Sequence, residues 1–209
     1  MIVIAISGLS LAGKTTLSQS IIHIYNKNGV RCIYRPRAHL TDNILANSYL
    51  RTMYDLINTW DFSDYSVINK YIELGFKSLL LDYQAFIASI EQYKNTDIIV
   101  LDRHFADHYV LSEYFGFNFE YLPIHISNYY EFYIECNYLE AIQRSKARRD
   151  NHGKLTDYIL SNESIYNKFC ELYRYYFSQK YYSSNHILDN NHFNAINKLQ
   201  DIIDSLLKR

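Results

Sequence analysis

The sequence predicts an α/β fold, a five-stranded parallel sheet with helices on both faces. Three observations predict it. Short β-branched runs alternate with longer segments of helical period along the whole chain. The first run passes straight through a glycine-bearing loop into a helix. The length, 209 residues, suits one compact unit large enough to cover a central sheet on both sides.

In chain order, Ile2-Val3-Ile4-Ala5-Ile6 reads as a buried strand. Gly8-Leu9-Ser10-Leu11-Ala12-Gly13-Lys14-Thr15 follows and matches the phosphate-binding P-loop. From Thr16 to Tyr25 the pattern is helical, with Leu17, Ile21 and Ile24 on one face. Gly8 and Gly13 allow the backbone to curl, so that amides from Ser10, Leu11 and Ala12 through Thr16 face phosphate oxygens at a helix start. Lys14 is expected on the β- and γ-phosphates, and the Thr15 hydroxyl in the coordination sphere of Mg²⁺. The loop therefore implies a nucleoside triphosphate.

Further strands are expected at residues 30–34, 98–101, 132–136 and 186–188. Helical patterns occupy about 43–58, 67–94, 105–115, 138–149, 162–179 and 193–207. Strands alternating with helices give parallel pairing, with ligands at the carboxyl ends of the strands. A single P-loop domain over 1–209 is expected, with a lid at about 144–158. Residues 40–66 carry the weakest pattern; Trp60 and Phe62 there suit either core or the flank of an acceptor pocket.

A net charge of -1 offers no basic field for nucleic acid. Cys32, Cys136 and Cys170 have neither paired nor metal-ligand spacing, which fits a reduced, cytoplasmic setting. No apolar run approaches membrane-spanning length, and a strand from Ile2 leaves no room for a signal peptide.

Chemistry-bearing residues cluster at strand ends. Asp102-Arg103-His104 follows the third strand. Asp102 there can hold Mg²⁺ through water or take a proton from an attacking hydroxyl, and Arg103 can grip an anionic acceptor. His104 reads as structural. Arg144 and Arg148 share a helix face, with Arg149 about 100° further round. A basic helix followed by the turn Asn151-His152-Gly153-Lys154 suits a lid whose arginines neutralise charge during transfer. Arg35 and Arg37, around Pro36, could face an acceptor phosphate or solvent. Tyr83 and Gln84, on the long helix, offer a ring for stacking and an amide for a base edge, though a Tyr/Phe pair there also suits core. The stripe Leu79, Tyr83 and Phe86 could equally serve a homodimer.

With these pieces in order, the chain resembles the thymidylate kinase family and, more loosely, the deoxynucleoside kinases. The resemblance covers nearly the whole length and rests on the P-loop, Asp102-Arg103, Tyr133-Ile134-Glu135-Cys136 leading into the arginines, and Asp189-Asn190-Asn191-His192. It implies ATP and Mg²⁺ and transfer to a nucleoside monophosphate, with dTMP to dTDP as the leading case. By the same resemblance Asp102 lies near the transferring phosphoryl, Arg103 on the acceptor phosphate, and Asn190 in the loop bordering adenine. Two positions depart from the pattern. Ser10 stands where thymidylate kinases usually carry an acid, and Gln84 looks more like the base-reading glutamine of deoxynucleoside kinases. The alternatives are therefore a deoxynucleoside or other small-molecule kinase. A regulatory NTPase is a third class, but Asn69-Lys70-Tyr71 continues to Ile72 rather than completing Asn-Lys-x-Asp.

Overall fold

The computed structural model describes residues 1–36, 42–117, 127–148, 153–181, 186–191 and 194–208. Five strands, β1 (Ile2–Ser7), β2 (Cys32–Pro36), β3 (Ile98–Asp102), β4 (Tyr129–Glu135) and β5 (Ile187–Asp189), form one sheet in the order β2-β3-β1-β4-β5. Every pairing is parallel. The helices are α1 (Lys14–Lys27), α2 (Ile44–Asn58), α3 (Tyr65–Ala88), α4 (Phe105–Phe115), α5 (Tyr138–Ala147), α6 (Lys154–Leu160), α7 (Glu163–Tyr181) and α8 (Ala195–Leu207).

β1 is buried along its full length, which explains a run without polar alternation. Its residues divide by parity. Ile2, Ile4 and Ile6 join Ile98 and Val100 of β3 in a core with Leu17, Ile21 and Tyr25 of α1. Val3 and Ala5 join Ile99 and Leu101 in a second core with Leu79, Tyr83 and Phe86 of α3. The sheet is thus covered on both faces, and each fully buried Ile contributes about 1.5–3 kcal/mol of apolar transfer. The stripe Leu79, Tyr83 and Phe86 is spent on this core, so it offers no surface to a second subunit.

The chain leaves β1 for β2 on one side of the sheet, returns to β3, and then crosses to β4 on the other side. That reversal opens a crevice at the carboxyl end of β1, where the P-loop emerges.

Several boundaries differ from the sequence expectation. The pattern at 67–94 is two elements, because α3 ends at Ala88 and a 3₁₀ turn spans Ile90–Tyr93. The fifth helix stops at Ala147, and Arg148 is extended (φ -80°, ψ 130°). α6, inside the expected lid, went unread because seven residues are too few to display a helical period. Trp60 is 1 % exposed and belongs to a core with Ile57, Ile68 and Ile72, whereas Phe62 is exposed. Among the described residues, no helix is long and apolar enough to cross a membrane.

Candidate active site

The P-loop joins β1 to α1 with backbone geometry that a side chain could not easily follow. Gly13 has φ 95°, and a Cβ there would lie 2.5 Å from Asn190 Nδ2. Gly8 has φ 144°, and its Cβ would lie 2.5 Å from Ile134 O. Leu11 also has positive φ, at 70°. α1 begins without a side-chain cap or an acid in its first turn. Its first backbone bond to the loop is Leu17 N to Gly13 O, at 2.9 Å. The amides before Leu17 lack intrahelical partners by construction, and they face an end with partial positive charge. Such an end suits an anion.

Lys14 is buried, and its Nζ donates to Gly8 O and Leu9 O, both at 2.7 Å. Burial first, and the Arg103 charge second, lower its pKa to about 8. The amine therefore sits in a setting that a bound polyanion would relieve.

β3 carries Asp102 to the other side of the loop. Asp102 Oδ2 accepts from Thr15 Oγ1 at 2.6 Å and from Tyr34 Oη at 2.9 Å. Arg103 follows with φ 71°, strained backbone held by Arg103 N donating to Ile6 O at 2.9 Å. Its Nη2 donates to Ser10 Oγ at 3.1 Å. One helical start further on, Asp107 Oδ1 accepts from Gly8 N (3.2 Å) and Tyr173 Oη (2.5 Å), while Oδ2 accepts from His104 N (3.3 Å). Asp107 thus ties P-loop, α4 and α7 together. His104 is fully buried, with Nδ1 at 2.7 Å from Tyr129 Oη.

Two cavities meet at Ser10 and Arg103. One, of about 300 Å³, is lined by Leu11, Gly13, Lys14, Thr15, Thr16, Asp102, Arg144 and Arg148. The other, of about 220 Å³, has apolar walls from Leu50, Met53, Ile57, Leu111 and Leu155, with Tyr54, Tyr71 and His108 among them. Burial lowers the His108 pKa to about 4, so the ring is neutral near pH 7. The first cavity is predominantly cationic, the second largely apolar with a charged inner end at Arg103 and Asp107.

The expected lid is divided between the two. Arg144 in α5 donates from Nε to Glu140 Oε1 (3.0 Å), from Nη1 to Leu11 O (3.1 Å) and from Nη2 to Asn190 O (2.6 Å). It is a fixed wall of the first cavity. Arg148 is exposed on the same cavity. α6 instead walls the second cavity and is fastened to the P-loop by Thr156 Oγ1 donating to Ser10 Oγ at 2.9 Å. Asn190 is buried, and its Nδ2 donates to Ala12 O at 2.7 Å. Its amide braces the P-loop from behind.

Three sequence expectations are corrected. Tyr83 lies in the α3 core, edge-on to Phe105 with centroids 5.5 Å apart, and Gln84 is exposed on the helix. Neither lines either cavity, because α3 turns Tyr83 toward the sheet, and its neighbour lies about 100° round. Tyr71, twelve positions earlier on α3, borders the second cavity instead. Arg35 is on the opposite face of β2 from Tyr34, as strand alternation requires. Its Nη2 donates to Tyr93 Oη at 3.3 Å, beside Asn43 and Gln92, away from the P-loop. Arg37 and Arg149 lie outside the described residues. Sequence reasoning missed Tyr34, Asp107, Thr156 and Tyr173. Only Asp107 had a local signal, three residues after His104 as the partner in a capping box.

No protein-family profile matches the chain, and no curated protein matches it by sequence. Solved structures do resemble it. A deoxyadenosine kinase from M. mycoides, with the products dCMP and a flexible dCDP bound, aligns over all of both chains at 18 % identity and a TM-score of 0.51. A thymidylate kinase from Candida albicans aligns over 98 % of this chain and 91 % of its own, at 11 % identity and a TM-score of 0.57. Both likenesses, at these low identities, are of fold.

Proposed function

We propose that this chain is a P-loop kinase that moves the γ-phosphoryl of ATP to a nucleoside monophosphate, with dTMP to dTDP as the first acceptor to test. The observation that carries this reading is the meeting of two cavities at Ser10 and Arg103. The cationic cavity suits a triphosphate: Lys14 and the amides from Ser10 to Thr16 for its phosphates, and Arg144 and Arg148 for charge on the transferring group. The apolar, tyrosine-bearing cavity suits a base and sugar.

Thr15 Oγ1 and Asp102 Oδ2 are hard oxygen donors 2.6 Å apart, of the type Mg²⁺ takes alongside phosphate oxygens. A metal held there would neutralise phosphate charge. Tyr34 donates to the same Asp102 oxygen and fixes its direction. Arg103 is the anchor for the acceptor phosphate, and its strained backbone aims the guanidinium at the junction. Within a single kinase domain, Arg144 and Arg148 wall the first cavity and Gly153, Leu155 and Thr156 the second, with Arg144 held by its hydrogen bonds.

The alternative acceptor is a deoxynucleoside, in which case Asp102 would accept the proton of an attacking hydroxyl. Donors at the junction favour the phosphate: the Arg103 guanidinium and the Ser10 hydroxyl lie together there. An ATP-consumption screen over the deoxynucleoside monophosphates and free deoxynucleosides tests the reading. Turnover with a monophosphate supports it, turnover with a nucleoside alone favours the alternative, and hydrolysis unstimulated by any acceptor removes both.

A further inference from the structure

His108 stands early in α4, a few positions past Arg103, and its ring lines the second cavity. Its two nitrogens have different surroundings. Nδ1 is shut away from solvent, with no hydrogen-bond partner among the described residues. It packs over Gly75 of α3, where a Cβ would come within 3.2 Å of Nδ1, 2.7 Å of His108 Cε1 and 2.8 Å of Met53 Sδ. Glycine inside a helix is less stable than alanine, and Gly75 is the one glycine of α3. The ring that rests on it explains its place there. Nε2 is not enclosed in this way, which leaves it as the nitrogen given to the cavity.

Burial lowers the ring's pKa to about 4, so near pH 7 one nitrogen carries a hydrogen and the other a lone pair. A buried N–H without an acceptor is the rarer of the two kinds of orphan. The hydrogen therefore belongs on Nε2, and Nδ1 keeps its lone pair against Gly75. The cavity is offered a donor with no lone pair beside it.

We infer that His108 is the specificity-determining residue for the acceptor's base, donating from Nε2 to a carbonyl oxygen and so preferring keto bases to amino bases. The inference rests on the kinase reading above and deepens it. With the phosphate on Arg103, the base edge furthest from it carries the C4 substituent of a pyrimidine or the C6 substituent of a purine. Thymine, uracil and guanine present an oxygen there, cytosine and adenine an amino group. An amino group would set donor against donor and leave both unpaired. Gln84, the amide expected for this task, lines neither cavity. Gly75 gives the ring its seat and is a positioning residue.

The test is calorimetric titration of the full chain with dUMP and dCMP, whose bases differ chiefly in the exchange of oxygen for an amino group at C4. Wild type should bind dUMP at least about tenfold more tightly, the range of one lost hydrogen bond with an unpaired donor left behind. dTMP should side with dUMP, and dGMP should bind more tightly than dAMP. His108→Leu should bring dUMP and dCMP within about twofold of each other. His108→Gln, whose amide can turn either end to the base, should level the two while keeping dUMP within a few-fold of wild type. Gly75→Ala dislodges the ring without altering it and should also reduce the preference. Imidazole nitrogen–proton spectra near pH 7 should show His108 as the Nε2–H tautomer, with its signals identified by their loss in His108→Leu.

Equal affinity for dUMP and dCMP in wild type would overturn the inference and leave the kinase reading standing if both are phosphorylated. An unchanged preference in His108→Leu, or an Nδ1–H tautomer, would also overturn it. If the wild-type chain binds MgATP but no monophosphate, the acceptor reading itself falls and this inference with it. That outcome is visible before any variant is made.

Discussion

The Thr15 hydroxyl donates to Asp102 Oδ2 across 2.6 Å, joining the first turn of α1 to the tip of β3. These residues are far apart in sequence and meet because β1 and β3 pair in parallel register, Ile6 opposite Asp102. The P-loop and the strand-end carboxylate are thus fixed to one another before any ligand arrives. Such preorganisation lets charged groups act without rearrangement during the reaction.

Asp102→Asn retains the shape of the side chain and an oxygen for Thr15 or Tyr34, but removes the negative charge. Steady-state assays should find kcat lowered by at least about a hundredfold, in the range typical for a lost acid–base or metal-holding group. The KM for ATP should change little, since the proposed site assigns that affinity to Lys14 and the loop amides. A tenfold rise in KM with kcat intact would reverse the assignment.

Lys14 gives the site a pH dependence with a definite sign. Its pKa is lowered from 10.5 to about 8, chiefly by burial and then by Arg103. Between those two values the folded chain binds fewer protons at this site than the unfolded chain, so its contribution makes stability rise with pH. A bound polyphosphate acts oppositely, because it restores the ammonium. Tripolyphosphate affinity should therefore be full below about pH 8 and fall as pH rises above it. Calorimetry from neutral to alkaline pH reads this directly, and Lys14→Met should bind weakly with a flat profile. A wild-type affinity that is level across that range would contradict the role given to the amine.

Gly13→Ala and Gly29→Ala separate backbone strain from collision. Both glycines have positive φ, 95° and 80°, but a Cβ at Gly29 meets nothing within 4 Å. Gly29→Ala should lower stability by about 1 kcal/mol through strain alone. At Gly13 the Cβ would strike Asn190 Nδ2, whose amide is committed to Ala12 O. Loss of that buried hydrogen bond adds about 1–3 kcal/mol. Denaturant titration should therefore rank Gly13→Ala well below Gly29→Ala, with nucleotide binding impaired only in the former.

Trp60 is the chain's single tryptophan and reports on α6. Its ring is 1 % exposed, and its centroid lies 5.2 Å from that of Tyr158 in α6. If α6 shifts when the second cavity fills, the indole loses or changes that aromatic neighbour. Titration with the acceptor should change Trp60 emission, whereas MgATP alone, which the proposed site places on the α5 side, should change it far less. Identical responses to both ligands would tie α6 to the triphosphate instead.

The parallel α/β architecture was legible because it is written locally. Ile2–Ser7 needs no alternation when both faces are covered, and the P-loop motif occupies eight adjacent residues whose backbone demands are fulfilled by Gly8 and Gly13 themselves. The placement of Asp102 and Arg103 at a strand end was legible for the same reason. Tyr83 and Gln84 illustrate the limit. Their residue types suit base recognition, but the direction of each side chain depends on which face of α3 meets the sheet.

What the sequence determined by itself is the alternation of five strands with the longer helices, the glycine-bearing loop between β1 and α1, and the strand-end pair Asp102–Arg103. Tertiary structure alone decided that Tyr34 rather than Arg35 reaches Asp102, that Arg144 is pinned while Thr156 bridges to Ser10, and that Asn190 braces the loop. The physical reason is range. Periodicity and loop chemistry act within a few residues, whereas a side chain's partner depends on register and helix packing. In a strand, moving one position reverses the face.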